Sequence, residues 1–192
     1  MSTTSHRLFQ QPWPTGEYRF FQLGFLVDDV VAAAAKWAAV HGVGPFHVLP
    51  PLTQPWMYRG AEVVLTTQVA VAQAGPVQIE LIQEHGDVAG VYSELARREG
   101  RTGFHQLCTL TESYDRTREH YAALGYELIS EVTAQGGRVG FFDTLDDFGF
   151  YTEVAESTPT LVPSLARIAA TCAEWDGTDP VRILTRDGYR VP

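Results

Sequence analysis

Lysine is almost missing from this chain. Of its 14 basic residues only Lys36 is a lysine, and against 23 acidic residues the formal net charge is −9. A surface of that sign repels phosphate backbones and anionic bilayers, which sets nucleic acid and membranes aside as partners. Cysteine occurs twice, at Cys108 and Cys172, each within an apolar periodic segment. Two such residues make no disulfide framework and point to a reducing, cytoplasmic setting. No run approaches the ~18 consecutive apolar residues of a membrane span, and residues 1–7 lack the apolar stretch of a secretory signal. The glycine signatures of dinucleotide and phosphate loops are absent, as are the Gly-x-Ser-x-Gly elbow and any Cys-x-x-Cys pair. What is present is globular: 192 residues, 45% hydrophobic and 11% aromatic, enough for one domain or two small modules sharing a core.

Residues 1–17, with Pro12, Pro14 and Gly16, read as a polar tail. An aromatic strand follows over Tyr18–Val27, then an Asp28/Asp29 cap and an alanine-rich helix over Val30–Val40, stopped at Gly42. Gly44-Pro45 turns the chain into Phe46–Leu49. A proline-rich stretch leads to Trp56-Met57-Tyr58, read as an irregular loop, and two strands follow at Ala61–Ala72 and Val77–Ile82. The charged segment 85–102, with a short helical pattern over Val88–Glu99, reads as a linker. The pattern then recurs: a strand at Phe104–Leu110, a helix from Thr111 to Leu124, and three more strands ending at Val154. Placing Phe21-Gln22 on Phe104-His105 also places Gly42 on Gly125, both at an offset of 83, which predicts an internal repeat of strand–helix–three strands. Beyond the repeat, Pro163–Trp175 reads as an amphipathic helix and Val181–Leu184 as an edge strand.

Each half opens with a polar residue in an apolar strand, Gln22 and His105, and closes with a carboxylate in similar surroundings, Glu80 and Glu153. A carboxylate buried in an apolar strand is costly unless it is paired, protonated or bound to metal. Convergence of the four would make a nitrogen-and-oxygen site suited to Zn, Ni, Co, Mn or Mg. Alone, His105 reads as a core histidine, Gln22 as a backbone partner and Glu80 as a solvent-facing residue. Phe46, Trp56, Tyr58 and Phe141 are candidate pocket residues, and His47 is placed to reach the cleft. Arg59 and Arg138 are candidates to pair with a carboxylate, although surface ion pairs are their commoner use.

Four stretches, Gln22–Asp29, Gly42–Phe46, Gln78–Ile82 and Gly103–Gln106, together resemble the vicinal oxygen chelate superfamily. Within it they look like the glyoxalase-like and methylmalonyl-CoA-epimerase-like branch. The resemblance spans about Arg19–Glu156 and implies an α+β fold. In it, two βαβββ modules form a half-open, eight-stranded barrel-like sheet, here with a C-terminal helical extension. It divides the chain into the tail at 1–17, modules at 18–84 and 103–156, the linker at 85–102 and the extension at 157–192. Carried over residue by residue, it implies metal ligands Gln22, Glu80, His105 and Glu153, a set like that of glyoxalase I enzymes with glutamine as first ligand. The epimerases carry histidine first and glutamine second, and this chain departs from them at both positions.

The expected function is therefore that of a metal-dependent isomerase, epimerase or lyase. It would act on a small keto, hydroxy or otherwise enolisable substrate with an apolar part. The metal would stabilise an enolate, with Glu153 as first base and Glu80 as second. The scarcity of lysine argues against a CoA-sized polyanion. The rival from the binding class is a metal-free protein that sequesters an apolar compound. An Fe(II) ring-cleaving dioxygenase ranks last, since it needs two histidine ligands and only His105 holds such a position. The resemblance leaves room for a homodimer, because members complete their sites within one chain or across two.

Overall fold

The first strand, β1 (Arg19–Leu26), gives way to a helix because Asp29 caps it. The Asp29 carboxylate accepts from the backbone N–H groups of Val31 and Ala32, both at 2.9 Å, and starts α1 (Val30–His41). Those N–H groups have no partner within the helix, and a cap of this kind is worth about 1 kcal/mol. Gly42, at φ 64°, ends α1 in the left-handed region that a side chain resists. The computed structural model describes residues 19–100 and 102–192, so the tail read at 1–17 lies outside the described residues.

The first module continues through β2 (Phe46–Val48), β3 (Leu52–Tyr58), β4 (Ala61–Ala74) and β5 (Val77–His85). Here the structure corrects one expectation. Trp56-Met57-Tyr58 is not a loop but the end of β3, paired along its length with β4. The prolines that suggested a loop are tolerated because β3 has a second strand neighbour only at Met57 and Tyr58, past Pro55. Between the modules, α2 (Val91–Glu99) buries Val91, Tyr92 and Leu95. The second module then follows as β6 (Gly103–Thr111), α3 (Tyr114–Ala123), β7 (Leu128–Ala134), β8 (Gly137–Phe142), the single turn α4 (Leu145–Phe148) and β9 (Tyr151–Glu156).

The pairings run in a ring. β1 lies parallel to β5 and antiparallel to β6, and β6 lies parallel to β9. From there β9–β8–β7 and β5–β4–β3 continue antiparallel. β3 and β7 meet only through Met57–Glu131 and Tyr58–Ser130, so the barrel-like sheet is joined at one end of this seam and parted at the other. The C-terminal extension packs α5 (Leu161–Ala173) against β4 and adds β10 (Val181–Thr185) beside β2 and β11 (Gly188–Arg190) beside β10. Among the described residues no helix is long and apolar enough to cross a membrane.

Two main cores hold the barrel in shape. One lies between α1 and the outside of the sheet, with Val30, Ala34, Phe46, Ala70 and Leu81. The other joins α2 to the inside, with Trp56, Tyr92, Leu95, Phe141 and Tyr151. Each large side chain fully buried there contributes about 1.5–3 kcal/mol, so both ends of the site stand on rigid elements.

The strand register refines the repeat. Glu80 lies opposite Gly24, and Glu153 opposite Cys108. The two modules therefore superpose at an offset of 84, which sets Gln22 on Gln106 and the cap Asp29 on Ser113. The contacts Gln22–Cys108 and Gly24–Gln106 between β1 and β6 exchange under that offset, as a two-fold relation between modules requires. The offset of 83 came from Gly42 and Gly125, and it differs because the second helix reaches its glycine one residue sooner.

Candidate proton-transfer site

Alternation along a barrel strand sends every second side chain inward. Gln22 of β1, Gln78 and Glu80 of β5, Trp56 of β3 and Glu153 of β9 thereby line one cavity of about 780 Å³, a volume suited to a small ligand. Its lining includes Val69 and Val71 of β4, Val132 of β7, Val139 of β8, and Leu161, Leu165 and Ile168 of α5.

β6 interrupts the alternation. Gly24 faces Gln106 and Phe25 faces Phe104, so His105 is an extra residue on β6, a bulge that re-aims its neighbours. As a result Gln106, fully buried, reaches the centre of the site. Its Nε2 lies 3.2 Å from Glu80 Oε2 and 3.2 Å from Glu153 Oε2, so both carboxylates meet one amide. Gly24 makes this close approach feasible, since a Cβ there would collide with the Gln106 amide.

His105 stands behind Gln106. Its Nε2 is 3.1 Å from the Val91 carbonyl oxygen, its Nδ1 contacts Gln106 Oε1, and its ring packs among Tyr92, Phe141 and Tyr151. Gln22 donates from Nε2 to Gln78 Oε1 at 3.0 Å. Of the four expected ligands, then, the structure brings Glu80 and Glu153 together, sets Gln22 on the same cavity wall, and holds His105 one layer back. Gln106 takes the position at the carboxylates.

Electrostatics follow from burial. Glu80 retains some accessible surface, but that surface is the cavity's own, and protein surrounds it. Desolvation and then the neighbouring Glu153 push its carboxyl well above the usual range. Desolvation raises Glu153 to about 7, against weaker lowering by Cys108 and Gln106. Desolvation, followed by the two carboxylates, raises the Tyr92 phenol and the Cys108 thiol. Burial lowers His105 to about 4, so its ring is neutral at physiological pH.

Among the pocket candidates, Trp56 lines the cavity, with Phe141 packed behind it at 6.2 Å between ring centroids. Phe46 sits in the α1 core on the other side of the sheet, and Tyr58 turns away to Glu94. His47 lines the cavity wall, its Nε2 buried and, among the described residues, without a hydrogen-bond partner. Arg59 and Arg138 form ion pairs, with Glu94 and Asp115 respectively, each at 2.6 Å. Sequence reasoning passed over Gln106, Gln78, Cys108 and Tyr92. The signal for Gln106 was its adjacency to His105, obscured by the bulge, and Tyr92 lay in the segment read as linker.

Among the described residues no three His, Cys, Asp or Glu side chains gather closely enough to hold a metal ion. The donors that do converge are two carboxylates and an amide, with the Gln22 amide on the same wall. The two carboxylates begin an oxygen set that fits a divalent cation, and each amide joins it through its carbonyl oxygen, not through the N–H group.

Comparison with known proteins agrees with the fold. The sequence profile described as the glyoxalase/bleomycin resistance protein/dioxygenase superfamily matches residues 21–141. No curated protein sequence matches. Among solved structures, methylmalonyl-CoA epimerase from Mycobacterium tuberculosis aligns with a TM-score of 0.57 at 17% identity, covering 80% of this chain and 98% of that one. A hypothetical protein from Bacillus halodurans C-125 gives 0.54 at 15% identity, over 74% and 96%. A variant of Streptomyces coelicolor methylmalonyl-CoA epimerase in complex with 2-nitronate-propionyl-CoA gives 0.52 at 16% identity, over 74% and 99%. At such identities the likeness speaks for the fold.

Proposed function

Because the chain belongs to the glyoxalase/bleomycin resistance protein/dioxygenase superfamily, we propose that it is an enzyme that moves a proton within a small oxygenated substrate. The observation that carries this reading is the pair Glu80 and Glu153. They are equivalent residues of the two modules, Glu153 buried and Glu80 partly so, both against the Gln106 amide on the wall of an apolar cavity.

A general base works best when its pKa lies near the working pH. Glu153, held at about 7, meets that condition, whereas an exposed carboxylate is a much weaker base. Glu80, whose carboxyl burial and the neighbouring Glu153 push well above the usual range, is the matching acid. One carboxylate removes a proton from carbon beside a carbonyl, and the other returns one. Return to the same carbon from the opposite side is epimerisation; return to its neighbour is isomerisation. Loss of a β-substituent instead would make the enzyme a lyase.

Superfamily members typically use a divalent metal. Here Glu80, Glu153, Gln22 and Gln106 would hold one, and it would supply positive charge toward a substrate oxygen that gains electron density. The apolar lining takes the apolar part of the substrate. Arg167 of α5 lines the cavity and makes no ion pair among the described residues, so it is placed to meet a substrate carboxylate. The solved epimerases support an epimerase-type reaction, and the scarcity of lysine favours a substrate smaller than a CoA ester.

The test is hydrogen exchange from D2O into a panel of 2-hydroxy acids, 2-keto acids and α-branched acyl thioesters, followed by proton NMR. The wild-type protein should exchange the α-hydrogen of at least one member, and Glu153→Gln should not. Equal exchange by the variant overturns the reading, as does tight binding across the panel without exchange, which is the behaviour of a sequestering protein.

A further inference from the structure

The hydrogen bonds around His105 decide which end of the Gln106 amide faces the carboxylates. The Val91 carbonyl oxygen can only accept, so the imidazole nitrogen 3.1 Å from it, Nε2, carries a proton. The ring is 1% exposed and packed among Tyr92, Phe141 and Tyr151, and among the described residues no carboxylate is bonded to it, so the proton on Nε2 is the one its surroundings call for. Nδ1 is then a lone-pair acceptor. A carbonyl oxygen opposite it would set two acceptors against each other, whereas an amide N–H donates to it. The nitrogen and oxygen of an amide occupy the same outline, and the hydrogen-bond network chooses between them.

Resting on the site read above, we propose that His105 is a positioning residue that turns the Gln106 amide. Its Nε2 then donates to His105, and its carbonyl oxygen faces Glu80 and Glu153, completing an all-oxygen cradle for a hard divalent cation of the Mg²⁺ or Mn²⁺ kind. Three oxygens then converge: one from Gln106 and one from each carboxylate, which lie 3.2 Å from the inner end of the amide. With both carboxylates ionised, a cation among the three oxygens offsets their mutual repulsion. Gln22 stands at the equivalent place in the first module. Its Nε2 donates to Gln78, and among the described residues its own carbonyl oxygen has no hydrogen-bond partner, which makes it the fourth donor. The two modules thus present the same pair twice, a glutamine oxygen and a glutamate, with the amide nitrogens tied back by Gln78 and by His105. A set without nitrogen or sulfur suits Mg²⁺ and Mn²⁺ rather than Zn²⁺ or Ni²⁺.

Two measurements on the full chain test this. The first is ¹⁵N NMR of the His105 ring near neutral pH, which should show a neutral imidazole with its proton on Nε2. An imidazolium, or a proton on Nδ1, overturns the proposal. The second is Mn²⁺ titration followed by electron paramagnetic resonance. One ion should bind per chain, with no imidazole nitrogen coupling in the pulsed spectrum. His105→Phe should weaken binding by about 10- to 100-fold, the usual effect of losing a residue that orients a ligand. His105→Asn, whose side-chain oxygen can accept from the amide near the place of Nδ1, should keep most of the affinity. Nitrogen coupling would make His105 itself a ligand and overturn the proposal, as would absence of Mn²⁺ binding by the wild type. Hydrogen exchange by Glu153 is read separately, so failure here leaves the proton-transfer reading to its own experiment.

Discussion

Replacing Glu153 by glutamine should abolish proton transfer and at the same time make the cation-free protein more stable. The side chain is 8% exposed, and burial raises its carboxyl from 4.5 to about 7 in the folded state. The unfolded chain returns it to the ordinary value. Each pH unit between the two is worth ~1.4 kcal/mol, so ionising Glu153 inside the barrel costs roughly 3 kcal/mol of folding free energy. The folded protein holds this proton more tightly than the unfolded chain. The cost is therefore absent below about pH 4.5, grows as pH rises toward 7, and is complete above it. Glutamine keeps the shape and carries no charge, and removing the Glu153 charge also relieves Glu80. Urea denaturation of both proteins in a chelating buffer from pH 5 to 8.5 reads the effect. The two curves should nearly coincide at the acid end, with the variant ahead by about 2–3 kcal/mol at pH 8. A variant no more stable at pH 8, or a difference that ignores pH, would refute the claim that the carboxylate is ionised against the fold.

Gly24→Ala places a methyl group against the Gln106 amide and should weaken Mn²⁺ binding by about 10-fold or more while circular dichroism stays unchanged. Asp29→Ala removes the α1 cap and should lower stability by about 1 kcal/mol in urea. The Arg59 guanidinium holds the Glu94 carboxyl below its usual value, so the stability this pair supplies is complete at neutral pH and fades as pH falls through the folded-state value. Arg59→Met should flatten that acid-side slope, and an unchanged slope would assign acid sensitivity elsewhere. Arg167→Gln should raise KM for carboxylate-bearing substrates with little change in kcat; equal effects on both would remove Arg167 from substrate binding.

The secondary structure was legible wherever local chemistry matched the fold. The Asp29 cap, the glycine stop at Gly42 and the apolar strands around Glu80 and Glu153 all announce themselves in the amino-acid order. Two buried carboxylates in apolar strands were visible for the same reason, since such residues need an explanation. The bulge at His105 was not visible, because an extra residue in a strand leaves no mark on composition, and it shifted attention from Gln106 to its neighbour. Trp56 looked like part of a loop because prolines outweighed the pairing that β4 supplies. Tyr92 was hidden by the charge around it: Arg97 and Arg98 face outward on α2 and Glu94 pairs with Arg59, while Tyr92 enters the barrel.

The central claim is that Glu80 and Glu153 act as one buried acid–base pair. The most direct measurement is ¹³C NMR of the glutamate carboxyl carbons against pH in the chelated protein, with Glu80→Gln and Glu153→Gln to assign the signals. The account predicts that Glu153 titrates near 7 and that Glu80 titrates well above the usual carboxyl range. Two carboxylates both ionised by pH 5 would contradict it.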